Sequence, residues 1–185
     1  TRQGFDEYFG IPFSNDMANR KPFFVPTPLV RGERVVQELK DSDQDLLTKR
    51  YTEESLDFIS RNANRPFFLY LPHSMVHGPH HRSAAFKGKT GKGVYADVIA
   101  EVDWSVGQIL DKLEELNLSE RTLVLFTSDN GGPYSLRRPV PYSTNTPFSG
   151  GKGSMAEGGF RVPTIAWWPG TISAGSECDL MASTL

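Results

Sequence analysis

The sequence has little cysteine, no long apolar run and no excess of charge of one sign. Its single cysteine, Cys178, excludes an internal disulfide, and no zinc-type cluster surrounds it. The apolar runs, such as residues 122–126, are far shorter than the ~20 residues that cross a bilayer. The chain has 20 Lys and Arg and 22 Asp and Glu residues, which gives a net charge of −2. Without an excess of positive charge, neither nucleic acid nor a membrane is expected as a partner. We therefore expect a partner to be chosen by a local site.

The first part of the sequence also lacks a secretory signal and any long regular period. Residues 1–5 show no basic region followed by an apolar stretch, so targeting information is absent or was cut away. Residues 1–35 contain several proline turns and no sustained period of 2 or 3.6. They predict a long ordered loop region with short strands, which ends in an edge strand over residues 34–38.

What the sequence does contain is an alternation of helical and strand patterns. Apolar residues recur every three or four positions over residues 45–64 and 93–116, which predicts two amphipathic helices. Short continuous apolar runs predict strands buried on both faces at residues 67–71, 122–127 and 164–168. This order is typical of an α/β sheet with mostly parallel strands. Ligands of such sheets bind beyond the carboxyl ends of the strands, so the loops after these runs are the candidate sites.

The first candidate loop holds all four histidines of the chain, between residues 72 and 81. A histidine can bind a metal or donate a proton near neutral pH, because its unperturbed pKa is about 6.5. His77 is the preferred candidate, since the Gly78-Pro79 turn beside it would fix its backbone. The alternative is a solvated loop in which most of the histidines have no chemical role.

The second candidate loop, residues 128–132, contains Asp129 and Asn130 directly after a predicted strand. Carboxylate and amide oxygens are hard ligands, suited to Ca²⁺ or Mg²⁺ and poor for zinc. The alternative is an ordinary Asp-Asn-Gly turn, because these residues are common turn formers.

The third candidate loop, residues 149–163, places Lys152 between glycines. It is no Walker phosphate loop. That motif needs a glycine at position 146 and a serine or threonine at position 153, and these positions hold Thr146 and Gly153. A lysine between glycines suits close approach to an anionic oxygen. The alternative is a flexible surface loop with a solvated lysine.

Taken in this order, the three loops resemble the sulfatase family, in particular its arylsulfatase A and N-acetylgalactosamine-6-sulfatase type. Four blocks carry the resemblance, which covers nearly the whole chain: residues 4–16, residues 66–70 leading to 77–79, residues 126–131, and residues 151–163 with 168–170. The resemblance implies an alkaline-phosphatase-like α/β fold, in which a large mixed, mostly parallel sheet lies between helices. It also implies a sulfuric ester hydrolase that cleaves aryl or carbohydrate sulfates.

The resemblance further implies roles for individual residues. Asp129 and Asn130 are similar to calcium ligands, with the remaining ligands of one ion outside this chain. His77 is similar to the histidine that contacts the sulfate and protonates the leaving alcohol. Lys152 is similar to the lysine that binds a sulfate oxygen, and Ser14 matches a position that contacts substrate in some members. These roles agree with the chemistry of the residue types.

The sequence departs from the family pattern at the nucleophile. Family members use a formylglycine made within a Cys/Ser-x-Pro-x-Arg motif, and residues 1–185 contain no such motif, since Leu180 stands two residues after Cys178. The aspartate pair and the Lys-Trp-His segment of the family are missing as well. We therefore expect residues 1–185 to be the central part of a sulfatase catalytic domain, truncated at both ends and inactive alone.

Two other functions stay open on the sequence alone. A phosphonate monoester or phosphodiester hydrolase of the alkaline phosphatase superfamily would share the sheet but hold transition metals. A non-catalytic remnant could bind sulfated glycans through Lys152 and His77. The leaving alcohol, the oligomeric state and the compartment are also open, although the resemblance suggests a periplasmic, extracellular or lysosomal protein. No substrate role is assigned to residues 133–148, with Tyr134, Arg137, Arg138 and Tyr142.

Overall fold

The computed structural model of the protein describes residues 4–17, 26–134 and 143–183. The chain divides into two compact units, Thr1–Leu116 and Asn117–Leu185. Helices and strands occur in both, which confirms the α/β class.

The first unit begins with a three-stranded antiparallel sheet in the order β1 (Phe9–Gly10), β2 (Thr27–Arg31) and β3 (Arg34–Leu39). A two-residue turn joins β2 to β3, and its first residue, Gly32, has a φ of 59°, a value that glycine adopts without strain. The predicted edge strand over residues 34–38 is confirmed as β3. β2 is one of the short strands predicted within residues 1–35, although the sequence does not give its bounds, because Pro28 lies within it. β1 pairs only with Val30 and Arg31 of β2, so Pro28 has β3 alone as a neighbouring strand.

Both predicted helices are confirmed, with ends one or two residues inside the expected limits. A 3₁₀ helix, Asp41–Leu46, leads into α1 (Leu47–Asn62), and α2 (Val94–Glu115) follows a second short 3₁₀ helix, Ala84–Phe86. The apolar face of α1 is buried against the sheet, in a core cluster that comprises Leu29, Leu39, Leu47 and Tyr51. The sheet, α1 and the segment that carries the histidines are thereby joined in one packed body, since Leu71 also packs against this cluster.

The prediction of a strand over residues 67–71 is wrong, because these residues form no strand. Its burial alternates from one residue to the next instead of being continuous, and Phe68 and Tyr70 are 74% and 66% exposed. The segment is held by aromatic contacts: Phe5 packs against the rings of both exposed residues, and Phe67 meets Phe58 of α1 edge to face. It leads directly into the histidine loop.

The second unit contains β4 (Val124–Thr127), a four-residue helix α3 (Glu157–Phe160) and β5 (Thr164–Trp167). The two strands confirm the predicted runs, and they pair antiparallel from Val124 opposite Trp167 to Thr127 opposite Thr164. Their expected burial on both faces is wrong for the described residues. Neighbouring residues of a strand point to opposite faces, and both Leu125 and Phe126 are exposed, so neither face of β4 is covered.

Every strand pairing among residues 4–17, 26–134 and 143–183 is antiparallel, so the parallel pairings expected of the fold are not among them. In the same ranges, no helix has the length and apolar character needed to span a membrane.

Candidate functional site

The histidine loop of the first unit contains one exposed histidine, His77, and three that are buried or half-buried. Each of these three contacts a neighbouring side chain: His73 Nε2 lies 3.1 Å from Ser105 Oγ, the ring of His80 lies 5.4 Å from that of Tyr95, and His81 Nδ1 lies 3.0 Å from Asp45 Oδ1. Burial lowers the pKa of His73 to about 4 and is also the main cause that lowers the pKa of His80. His73 is therefore neutral near pH 7, and His77 is the one exposed histidine of the loop.

His77 is held by Asn15, a residue that the sequence places in the Ser14 block without marking it. The side chain of Asn15 is 2% exposed, and its Oδ1 lies 3.2 Å from His77 Nδ1. Asn15 Nδ2 donates a hydrogen bond of 3.1 Å to the carbonyl oxygen of Pro79. One buried amide thus contacts the histidine loop on both sides of Gly78.

Ser14 lies next to Asn15 at the surface. Its hydroxyl donates a hydrogen bond of 2.6 Å to Asp16 Oδ1. The fold of the first unit therefore brings the Ser14 block to the His77 loop, 62 residues further along the chain at Asn15 and His77. The burial of Asn15 and its contact with His77 could not be foreseen, because an asparagine in a loop usually indicates a turn.

In the second unit, the other two candidate loops are joined by backbone hydrogen bonds. The amide of Gly131 donates to the Gly159 carbonyl at 2.9 Å, and the amide of Lys152 donates to the Gly132 carbonyl at 3.0 Å. The backbone of Lys152 is therefore fixed against Gly132, which follows Asn130 by two residues in the sequence. We call this pair of loops, residues 128–132 and 149–160, the paired loops.

Asn145 fastens the paired loops from the side, a role that the sequence did not predict. Its Oδ1 accepts from the amide of Gly132 at 2.9 Å, and its Nδ2 donates to the carbonyls of Gly132 and Gly150 at 3.1 and 3.0 Å. The neighbouring Arg137, Arg138 and Tyr142 lie outside the described residues.

The glycines of the paired loops allow the two backbones to touch. A Cβ at Gly131 would overlap the carbonyl oxygen of Gly158, and one at Gly151 would come within 2.5 Å of the Gly132 carbonyl oxygen. Four of these glycines, Gly131, Gly151, Gly158 and Gly159, are buried. The glycine-rich composition thus reflects close packing of the two backbones.

Asp129 and Asn130 fit calcium in the kind of ligand they offer. Asn130 Nδ2 donates to the carbonyl oxygen of Gly131 at 2.9 Å, so its Oδ1 is the side-chain atom left to bind a cation. The Asp129 carboxylate is exposed and has no hydrogen-bond or ion-pair partner among the described residues. Calcium takes six to eight oxygen ligands, so these two residues supply part of a site. Within the described ranges, no group of three His, Cys, Asp or Glu side chains could hold a metal.

Lys152 projects from the paired loops with an exposed side chain, and none of the ion pairs of the described residues involves it. A lysine whose backbone is fixed and whose ammonium group is free can meet an anion without first breaking another pair. Three sequence-predicted residues, Asp129, Asn130 and Lys152, therefore lie on one pair of loops joined by backbone hydrogen bonds.

Comparisons with known proteins agree with one another. A family model described as Sulfatase matches residues 1–184. N-acetylgalactosamine-6-sulfatase from Canis lupus familiaris is 41% identical over 194 residues, which cover 100% of this chain and 37% of the relative. Steryl-sulfatase from Homo sapiens is 41% identical over 160 residues, which cover 85% of this chain and 27% of the relative.

Among solved structures, Ps i-CgsB in complex with k-i-k-neocarrahexaose matches with a TM-score of 0.73 and 30% identity, over 94% of this chain and 42% of that chain. The chain therefore spans well under half the length of the proteins that it matches.

Proposed function

Because this chain belongs to the sulfatase family, with an alkaline-phosphatase-like α/β fold, we propose that it forms the central part of an enzyme that hydrolyses sulfate esters. One observation supports this proposal above the others. The exposed Lys152 and the calcium-type residues Asp129 and Asn130 share the paired loops, which are held together by backbone hydrogen bonds. An ammonium group and a cation on one hydrogen-bonded pair of loops suit an anionic group such as sulfate.

Lys152 binds a sulfate oxygen in this proposal. Asp129 and Asn130 supply two oxygen ligands to a calcium ion, whose remaining ligands come from outside residues 1–185. When bound, calcium would supply positive charge to the site, and a formylglycine of the longer enzyme would supply the nucleophile. The role of Lys152 and of the two ligands is to hold the sulfate in one orientation, so that negative charge is stabilised as the ester bond breaks.

His77 acts as the general acid. Breaking the bond between sulfur and the ester oxygen leaves an electron pair on that oxygen, which becomes an alcohol only when it receives a proton. An exposed histidine can deliver that proton near neutral pH. The buried His73 cannot, since burial lowers its pKa to about 4.

The substrate class is proposed from the relatives. Their names specify an N-acetylgalactosamine 6-sulfate and a steryl sulfate, and one structural neighbour is in complex with k-i-k-neocarrahexaose. We infer a sulfate ester of a sugar or of an aryl or steryl alcohol, and Ser14 is the residue proposed to contact its alcohol part.

The test uses the protein produced from its complete coding sequence, assayed on a chromogenic aryl sulfate and on sulfated oligosaccharides. His77→Ala should lower kcat by roughly 10²–10⁴-fold with a much smaller change in KM, because the proton is needed in the transition state. Lys152→Ala should lower kcat/KM by roughly 10²–10³-fold. Lys92→Ala is the matched control, since Lys92 is an exposed lysine of the first unit, and its activity should be unchanged.

Two outcomes would contradict the proposal. Full activity of the His77→Ala protein would remove His77 from the acid role. Hydrolysis of phosphonate monoesters without hydrolysis of any sulfate ester would replace the sulfatase by the rival phosphoesterase. Residues 1–185 alone, which lack a Cys/Ser-x-Pro-x-Arg motif, should give no turnover.

A further inference from the structure

The buried amide of Asn15 is unusual in the first unit because both of its polar atoms contact the histidine loop. Asn15 is 2% exposed, and it lies 62 residues before His77 and 64 before Pro79 in the sequence. A buried amide that lost these partners would be strongly destabilising, so the contacts fix where the loop lies.

The partners of Asn15 determine which ring nitrogen of His77 carries a hydrogen. The Pro79 carbonyl oxygen can only accept, so the amide nitrogen of Asn15 must face it, at 3.1 Å. The amide oxygen of Asn15 then faces His77 Nδ1, at 3.2 Å. Because that oxygen can only accept, Nδ1 must be the donor. The neutral ring of His77 therefore has its hydrogen on Nδ1 and a lone pair on Nε2.

We propose that Asn15 is a positioning residue, which holds His77 in the Nδ1–H form so that Nε2 is the nitrogen that gives a proton to the leaving alcohol. The catalytic part of this inference rests on the proposed sulfatase function. The placement of the ring does not, since it follows from the hydrogen bonds of Asn15 alone.

This hydrogen-bond arrangement accounts for the position of each His77 ring proton during the reaction. In the protonated ring, the Nδ1–H is occupied by the Asn15 oxygen, so the Nε2–H is the proton available for transfer. When the S–O bond breaks, its electron pair stays on the alcohol oxygen, and that oxygen takes the Nε2 proton. The ring that remains is the neutral Nδ1–H form, which already matches the Asn15 acceptor. No ring flip is required between turnovers.

The direct test is the tautomer of His77 by NMR, with ¹⁵N-labelled histidine in the protein from its complete coding sequence and the signal assigned by its loss in His77→Ala. At a pH where the ring is neutral, the wild-type protein should show the Nδ1–H form. Asn15→Leu should shift the ring toward the Nε2–H form that free histidine prefers, because its acceptor is gone. Asn15→Asp should retain the Nδ1–H form, since a carboxylate still accepts from Nδ1.

The comparison of these two variants separates positioning from a structural role. A purely structural asparagine would be harmed at least as much by Asp, which puts a buried charge against the Pro79 carbonyl, as by Leu. Asn62→Leu is the matched control, because Asn62 is also a buried asparagine, 3% exposed, but bonds to Phe58 and Arg65 instead. It should leave the His77 tautomer unchanged.

The kinetic test is a double-mutant cycle on the same protein. Asn15→Leu should lower kcat by roughly 10–100-fold with little change in KM, as outer hydrogen-bond partners of catalytic groups do. In the His77→Ala background the same change should alter kcat by less than about 2-fold, because Asn15 acts only through His77. Effects that multiply, or an Nδ1–H ring that persists in Asn15→Leu, would overturn the inference.

If Asn15→Leu does not fold, Asn15→Asp carries the test, since loss of the Nδ1–H form in that variant would also overturn it. If the wild-type protein hydrolyses no sulfate ester but the tautomers behave as stated, the proposed function fails and the placement of His77 stands. If it hydrolyses sulfate esters and the cycle is multiplicative, the function stands and the positioning role fails.

Discussion

At the scale of single residues, His73 makes the stability of the fold depend on pH. Burial lowers its pKa from 6.5 to about 4, so between these values the unfolded chain binds a proton that the folded chain does not. The free energy of unfolding must then rise with pH through this window. Above pH 6.5 the ring of His73 is neutral in both the folded and the unfolded chain, so the full stability is present. As the pH falls from 6.5 toward 4, protonation of the unfolded chain lowers the free energy of unfolding, by about 3 kcal/mol at most.

This prediction is checked by urea unfolding at several pH values in the wild-type protein and in His73→Gln. Glutamine can still bond to Ser105, whose hydroxyl lies 3.1 Å from the histidine ring, but it cannot titrate. The variant should lose less stability than the wild type between pH 6.5 and 4. Parallel pH curves for the two proteins would show that His73 does not carry this dependence.

The site residues divide by whether their chemistry is visible in the residue type. His77, Lys152 and Asp129 could be proposed from the sequence because proton transfer, anion binding and metal ligation need those side chains. Asn15 and Asn145 could not, because an asparagine in a loop predicts a turn, and their importance comes from burial and from partners far along the chain. The sequence thus indicates candidate reacting groups better than it indicates the buried groups that contact them.

At the scale of elements, a buried hydrogen bond joins α1 to α2. Thr52 and Ser105 are both fully buried, and their hydroxyl oxygens lie 2.6 Å apart. Thr52→Val keeps the shape of the side chain but leaves Ser105 with one partner fewer, so it should lower the free energy of unfolding by about 1–3 kcal/mol. Ser105→Ala should lower it by a similar amount, because the ring of His73 then loses its partner.

The double variant should be less destabilised than the sum of the two single variants, because both remove the same contact. Denaturant unfolding of all four proteins measures this coupling. Ser60→Ala, at an exposed serine of α1, should change the free energy by no more than about 0.5 kcal/mol. Strict additivity of the Thr52 and Ser105 changes would exclude a direct interaction between the helices at this point.

The helices were predictable and some strands were not, for a physical reason. A period of 3.6 over 16 or 22 residues is a local signal, and both α1 and α2 carry it. A strand forms only by pairing with another segment of the chain, and the local sequence does not specify that segment. Residues 67–71 have the composition of a buried strand, yet their alternating burial and aromatic contacts give them another environment. By contrast, β4 and β5 do pair, but the exposed Leu125 and Ile165 show that pairing alone does not bury them.

At the scale of the whole molecule, metal binding distinguishes the proposed sulfatase from its rival. Asp129 and Asn130 offer oxygen ligands alone, which favours calcium over zinc. The protein from its complete coding sequence should therefore contain about one calcium per chain by elemental analysis. Calcium would bind the folded state only. A free calcium concentration of ~100 times its dissociation constant should therefore raise the free energy of unfolding by about 2.7 kcal/mol.

Asp129→Ala should remove this stabilisation and lower the calcium content, together with the activity on sulfate esters. Asp179→Ala is the matched control, since Asp179 is an exposed aspartate of the same unit and has no place in the paired loops. Removing calcium with a chelator should lower the thermal midpoint of the wild-type and Asp179→Ala proteins and leave that of Asp129→Ala nearly unchanged. Zinc or manganese in the purified protein, with equal content in Asp129→Ala, would contradict the calcium proposal and favour a phosphoesterase.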